Sequence, residues 1–66
     1  MQVTVNDAPH EVPEGTTVAA LLTQLGAPQA GVAVEVNRRI VRKRDLAETP
    51  LAAGDRVEIV TLVGGG

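Results

Sequence analysis

The sequence predicts an α+β fold in which one amphipathic helix packs across a mixed four- to five-stranded sheet. Its 66 residues suffice for a single domain with one core. Hydrophobic residues make up 44% of the chain although Phe, Tyr, Trp and Cys are absent, so the core must consist of aliphatic side chains. Stretches with a two-residue hydrophobic period surround a single stretch with a helical period, and this order favours a two-layer structure.

The first element is a hairpin over residues 2–12. Val3 and Val5 alternate with polar residues, which is the pattern of a half-buried strand. Residues 6–9 are expected to form a turn because they combine Asn, Asp and Pro. A short second strand over residues 10–12 then ends at the Pro-Glu-Gly sequence that follows.

The helix begins after Thr16 or Thr17, either of which offers a hydroxyl as N-terminal cap. Gly26 is expected to end the helix in a left-handed conformation. The apolar positions in between have the spacing of one helix face and are Val18, Leu21, Leu22 and Leu25. This aliphatic face requires a sheet to cover it.

The second half of the chain predicts three more strands. Residues 31–37 alternate valines with smaller or polar residues, and a short strand is expected at residues 40–41. The connection over residues 42–50 is irregular or a single helical turn, with Leu46 and Leu51 buried under the sheet. The final strand runs over residues 56–63 after a turn at Gly54.

The two sides of the final strand differ in their expected roles. Val57 and Ile59 lie on the side that faces the core, whereas Glu58, Val60 and Leu62 lie on the other side. Val60, Leu62 and Glu58, together with the adjacent Val63, are therefore predicted to form a surface on which partners dock. A helical crossover would place the first and last strands side by side at the sheet centre. This arrangement is the β-grasp, or ubiquitin-like, fold.

Catalysis by this chain alone is disfavoured by its composition. Ser, Cys and Tyr are absent, and a small domain cannot easily enclose a nucleophile, a base and an orienting group in one pocket. His10 is the one histidine and has no cysteine partner, so we expect a solvated side chain rather than a metal ligand. The net charge of −2 and the lack of a long apolar segment predict a cytoplasmic protein that binds neither nucleic acid nor membrane.

Most of the basic residues are concentrated in a short segment, the basic window. It comprises five of the six basic residues of the chain: Arg38, Arg39, Arg42, Lys43 and Arg44. A nucleic-acid-binding module is one interpretation, but the chain has no aromatic side chain for base stacking. A solvated strand edge that discourages aggregation is another, and guidance towards an acidic partner is a third.

The chain ends in three glycines, so the expected organisation is a domain over residues 1–63 and a flexible tail over residues 64–66. Glycine lacks a Cβ, so such a tail fits a channel too narrow for other residues. The group at its tip would be the α-carboxylate of Gly66, which is ionised at neutral pH. A disordered tail without chemistry is the alternative.

The whole chain resembles the ThiS family, the sulfur carrier proteins of thiamine biosynthesis. The resemblance rests on the Asn6 turn, the Gly-Thr-Thr-Val start of the helix, the Val-Glu-Val-Asn end of the third strand, the Gly-Asp-Arg-Val-Glu-Ile-Val segment and the final Val-Gly-Gly-Gly. Members often have a proline and a tryptophan where this chain has Arg42 and Leu46. This difference affects the expected packing of residues 42–50 and leaves the tail unchanged.

The resemblance implies a protein co-substrate, not an enzyme and with no bound cofactor. An adenylating enzyme of the thiamine pathway would use ATP and Mg²⁺ to activate Gly66. Gly64 and Gly65 would form the narrow segment that precedes the reacting carboxylate in the enzyme's channel. Sulfur would come from a persulfide, and the resulting thiocarboxylate would donate sulfur to thiazole synthase. The alternatives are a sulfur carrier for molybdopterin or another product, and a ubiquitin-like interaction module without chemistry at the tail.

Overall fold

The five strands form one mixed sheet covered on one side by a helix. A computed structural model describes residues 1–62. The elements are β1 (Gln2–Val5), β2 (Ala8–Glu11), α1 (Val18–Leu25), β3 (Val32–Val36), β4 (Arg39–Val41), a 3₁₀ helix (Lys43–Glu48) and β5 (Arg56–Thr61). The strand order is β2-β1-β5-β3-β4, with β1 and β5 parallel at the centre and the other pairs antiparallel. The predicted β-grasp topology is thus confirmed.

The first hairpin has a tighter turn than the sequence suggested. Only Asn6 and Asp7 form it, with φ angles of 48° and 69°, and Val5 pairs with Ala8. Two consecutive positive φ angles define a type I′ turn, whose twist matches that of antiparallel strands. Pro9, which we assigned to the turn, lies within β2 instead. A proline is tolerated there because β2 is an edge strand.

The limits of α1 agree with the prediction, and the structure decides which of the two candidate threonines caps its N-terminus. Thr17 is the cap, since its Oγ1 accepts a hydrogen bond from the Ala20 N–H at 3.1 Å. The neighbouring Thr16 hydroxyl donates instead to the Pro13 carbonyl at 2.7 Å. Gly26 ends the helix with φ 72°. Leu25 lies at the rim of the covered face and is 37% exposed.

The core lies between α1 and the inner side of the sheet. It contains ten aliphatic side chains: Val3, Val5, Val12, Val18, Leu21, Leu22, Val34, Leu46, Leu51 and Val57. Leu46 and Leu51 are buried as predicted, and the predicted connection over residues 42–50 contains the 3₁₀ helix Lys43–Glu48, which lies beside α1. Two backbone hydrogen bonds hold this segment, from Val18 N–H to Thr49 and from Leu51 N–H to Thr16.

The last two strands also differ slightly from their predicted limits. Strand β4 begins at Arg39, one residue early, because Asn37 and Arg38 form a second tight turn with φ angles of 53° and 69°. Strand β5 ends at Thr61. Val63 and the predicted domain boundary after it lie outside the described residues. Within residues 1–62, no helix has the length and apolar character to cross a membrane.

Candidate functional site

The approach to the glycine tail is fixed by the pairing of β5 with β3. Thr61 lies opposite Val32, and the N–H of Leu62 donates to the carbonyl of Gly31 at 2.8 Å. Gly31 has φ 76°, a conformation that costs glycine little and other residues more. Leu62, the last described residue, is therefore held by a backbone hydrogen bond. Val63, Gly64, Gly65 and Gly66, the predicted tail and its neighbour, lie outside the described residues.

The outer face of the sheet carries the predicted docking residues. Val60 is 56% exposed and Leu62 is 62% exposed, and Glu58 is exposed beside them on β5. Val60 lies opposite Ala33 of β3, and Glu58 lies opposite Glu35. The two apolar side chains thus form a surface patch next to the start of the tail, as the alternation in β5 predicted.

Ile40 is an exposed residue of this face that the sequence reasoning missed. It is 74% exposed and lies opposite Glu35, which in turn lies opposite Glu58. The sequence predicts only a short strand at residues 40–41 and does not say which of its residues is exposed. Neighbouring strand residues point to opposite faces, so the exposure of Ile40 follows once Val41 is known to be half-buried. We use "outer patch" below for Val60, Leu62 and Ile40.

Asn6 holds β5, the strand that carries Val60, in place. Its side-chain Oδ1 accepts from the Ile59 N–H at 2.8 Å, and its Nδ2 donates to the Ile59 carbonyl at 3.2 Å. The amide therefore takes the place of a backbone partner beyond the end of β1. The sequence identified Asn6 as a turn residue, but nothing in it indicated a bond to a residue 53 positions away.

Asn37 has the same role at the start of β5. Its Oδ1 accepts from the Arg56 N–H at 2.9 Å, and its Nδ2 donates to Asp55 Oδ1 at 3.0 Å. Asp55 also accepts from the Ala52 N–H at 2.8 Å. Both asparagines come from tight turns with positive φ, which asparagine tolerates better than most residues. Strand β5 is therefore held along its length by two side-chain amides as well as by two neighbouring strands.

A cavity of about 330 Å³ opens beside this strand. It is lined by Asn37, Arg38, Arg56 and Glu58. The Arg56 guanidinium donates to Asp7 Oδ1 at 2.9 Å and is thus already paired. The cavity connects the outer face, through Glu58, with the basic window, through Arg38.

His10 is half-buried, whereas the sequence predicts a solvated side chain. It lies opposite the buried Val3, and its side chain therefore shares the covered side of an edge strand. Among residues 1–62, no group of three or more His, Asp or Glu side chains is arranged to hold a metal ion. The structure thus gives His10 no ligand partners within the described part of the chain.

The basic window lies at the β4 edge of the sheet. All five of its side chains are exposed, and Arg44 is 3.7 Å from Asp45. Arg39 lies opposite Val36 on the inner side, whereas Arg38 shares the cavity with Glu58 and so brings positive charge to the margin of the outer face. The arrangement as a whole presents exposed apolar side chains beside a hydrogen-bonded strand end.

The family of this chain is decided by a match along almost its full length. The family model described as ThiS family matches residues 2–66. The chain belongs to the ThiS family. Among similar ThiS proteins is the sulfur carrier protein ThiS of Escherichia coli (strain K12), which is 35% identical over 66 residues and covers 100% of both chains.

Longer proteins contain a region similar to this ThiS chain. A thiazole synthase of Paramagnetospirillum magneticum is 39% identical over 66 residues, and one of Magnetococcus marinus is 36% identical. The chain spans only 20% of the length of each. A solved ThiS structure, the crystal structure of the thiamine biosynthesis protein from Geobacter metallireducens, has a TM-score of 0.86 and 36% identity, with 100% of both chains covered.

Proposed function

We propose that this chain is the sulfur carrier of thiamine biosynthesis and that it bears sulfur on the carbonyl carbon of Gly66. The observation that carries the proposal is the family match, which runs through the glycines to residue 66. The full-length similarity to a protein named sulfur carrier supports the same role. The structure contributes a strand that is hydrogen-bonded up to Leu62, immediately before the segment that would react.

The proposed chemistry requires Gly66 to have a free α-carboxylate. A carboxylate oxygen attacks the α-phosphorus of ATP, pyrophosphate leaves, and the carbonyl carbon becomes an acyl-adenylate. A sulfur nucleophile derived from a persulfide then displaces AMP, and reduction of the remaining S–S bond by a thiol leaves the thiocarboxylate. The chain has no cysteine and no serine of its own, so an adenylating enzyme must supply the activation with ATP and Mg²⁺. ATP-dependent activation favours a cytoplasmic location.

Val60, Leu62 and Glu58, together with Val63, are proposed to dock the carrier on its partners. The exposed apolar side chains lie on a strand that two asparagine amides and two neighbouring strands immobilise. A rigid apolar patch loses little conformational entropy when a partner covers it. Binding at this patch would direct the tail, which starts at the end of the same strand, into the partner's active site.

Thiazole synthase is proposed as the acceptor of the sulfur. Two proteins with that name contain a region similar to the whole of this chain. The presence of the two sequences in one polypeptide supports an encounter between the corresponding separate proteins. The thiocarboxylate sulfur would then be transferred to the thiazole precursor, and the carrier would recover its carboxylate for another cycle.

The test combines the chain with ATP, Mg²⁺, a persulfide source and an adenylating enzyme of the thiamine pathway. Intact mass is expected to show replacement of one oxygen by sulfur, and fragmentation is expected to locate the sulfur on Gly66. Addition of thiazole synthase and its small substrates is then expected to restore the original mass. An unchanged mass in the first step would contradict the carrier role, and retention of sulfur in the second would favour another acceptor.

A further inference from the structure

The basic window concentrates charge that the proposed function does not use. Outside it, the chain has one basic residue, Arg56, against eight acidic residues. Arg56 is paired with Asp7 at 2.9 Å, whereas in the window only Arg44 has a carboxylate partner among the described residues. The protein is acidic overall but presents a positive edge in which four of the five cations have no carboxylate partner among the described residues.

Protection of an open strand edge accounts for only part of this charge. Charged side chains on an edge strand discourage pairing with another chain. Of the five basic residues, however, only Arg39 lies in β4, and Lys43 and Arg44 lie in the 3₁₀ helix, which has no open strand edge. Arg42 precedes that helix and makes no side-chain cap bond to it. These three cations require another explanation.

The basic window borders the outer face of the sheet. Ile40, the outward-facing apolar residue of β4, lies in the chain between Arg42 and Arg39, which is opposite Val36 on the inner side. On the other side, Arg38 shares a cavity with Glu58. A partner that covers Val60 and Leu62 would thus meet the basic side chains at the margin of the same interface.

Because the basic window borders the outer face, we propose that the window docks against an acidic protein surface on the adenylating enzyme. An apolar area next to that surface would receive the outer patch. The inference rests on the proposed function, since it names the chemistry of that partner. A charged rim around an apolar centre is the usual arrangement of a protein interface. Such a rim acts mainly on the association rate and on its dependence on salt.

Other anionic surfaces fit the same face less well. Single-stranded nucleic acid is disfavoured because the chain has no aromatic side chain on which bases stack. An anionic membrane is disfavoured because Glu35 of β3 and Glu58 of the central strand β5 lie in one row with Ile40 on the outer side. Insertion of the apolar patch would bring both carboxylates against negative lipid headgroups, whereas a protein surface can supply matching groups.

The experiment measures the association and dissociation rates of the full chain with the adenylating enzyme from about 20 to about 300 mM salt. The unaltered chain is expected to associate more slowly as salt increases. The double variant Arg42→Gln/Lys43→Gln is expected to lose about three- to tenfold in association rate at low salt, with a flatter salt dependence and a dissociation rate within about twofold.

A matched pair of single variants separates local from overall charge. Arg42→Gln and Arg56→Gln change the net charge equally, but only the first removes a cation of the window. A larger rate loss for Arg42→Gln supports the proposal, and equal losses would show an effect of net charge alone and overturn it. Salt-independent association of the unaltered chain would also overturn it.

Two further measurements identify the source of any failure. Binding of the unaltered chain to single-stranded RNA or to vesicles with anionic lipid, lost in Arg42→Gln/Lys43→Gln, would assign the window to those ligands and overturn the proposal. The intact-mass assay is run in parallel on each variant. If the unaltered chain gains sulfur while its association is independent of salt, the docking inference fails and the carrier function stands. If it gains none, the function itself fails.

Discussion

The two sides of strand β5 have opposite roles although their residues alternate along the same six-residue segment. Val57 on the inner side is 1% exposed and lies in the core, whereas Val60 on the outer side is 56% exposed. Both are valines in one hydrogen-bonded strand, so their chemistry and backbone are the same. The difference shows that one side of the strand packs in the core while the other side stays exposed.

This comparison is tested most strongly by truncating the same side chain on each side. Val57→Ala is expected to lower the free energy of unfolding by about 2 kcal/mol, because it removes buried methyl groups and leaves a cavity. Val60→Ala is expected to change it by less than about 0.5 kcal/mol. Urea unfolding of both variants measures these values, and similar costs for the two would refute the division of roles.

A charge on the outer side is expected to affect binding without affecting the fold. Leu62→Asp should weaken binding to the adenylating enzyme or to thiazole synthase by about tenfold or more, while the unfolding transition stays nearly unchanged. Thr61→Asp is the matched control, because it introduces the same charge at the neighbouring position, which faces the other side of the sheet. Titration calorimetry should separate the two variants. Normal binding of Leu62→Asp to both partners would rule out a docking role for the patch.

Removal of an asparagine amide that holds β5 is expected to have an intermediate effect on the free energy of unfolding. Asn6→Gly retains the positive φ but removes both bonds to Ile59, and we expect it to cost about 1 kcal/mol. Asn6→Ala should cost about 1 kcal/mol more, because alanine tolerates φ 48° poorly. Equal stability of Asn6→Gly and the unaltered chain in thermal unfolding would show that the amide contributes nothing.

The smallest expected effect is a gain in stability at the second tight turn. Arg38 has φ 69°, a conformation that favours glycine. Arg38→Gly is therefore expected to raise the free energy of unfolding by about 0.5 kcal/mol, which combines relief of backbone strain with the higher entropy of glycine in the unfolded chain. The variant is measured beside Arg39→Gly, which places glycine in a strand and should destabilise it.

Much of this architecture follows from local sequence patterns. Thr17, Gly26 and the aliphatic spacing between them define α1, and the alternation in β3 and β5 predicts which side of each strand is buried. The exposure of Val60 and Leu62 was predictable for the same reason. These features depend on residues that are close in sequence, and such patterns are the ones that propensity and periodicity describe well.

The features that the sequence did not reveal depend on distant residues. The bonds from Asn6 to Ile59 join positions 53 apart, and no spacing rule indicates them. Pro9 was assigned to a turn because its place at the edge of the sheet is known only once the strand order is known. The place of Ile40 on the outer face likewise depends on the pairing of β4 with β3.

Folding is expected to depend on the sheet and helix, whereas the proposed sulfur transfer depends on the tail. The direct test is intact mass after adenylation and sulfuration of a chain without Gly65 and Gly66, with urea unfolding of the same sample. We expect no thiocarboxylate, since the terminal carboxylate is about 7 Å short of its position, and a stability change below about 0.5 kcal/mol. A Gly65→Val chain of full reach should fold normally and react far more slowly, because a branched side chain must enter the partner's channel. Thiocarboxylate on the truncated chain would contradict the account.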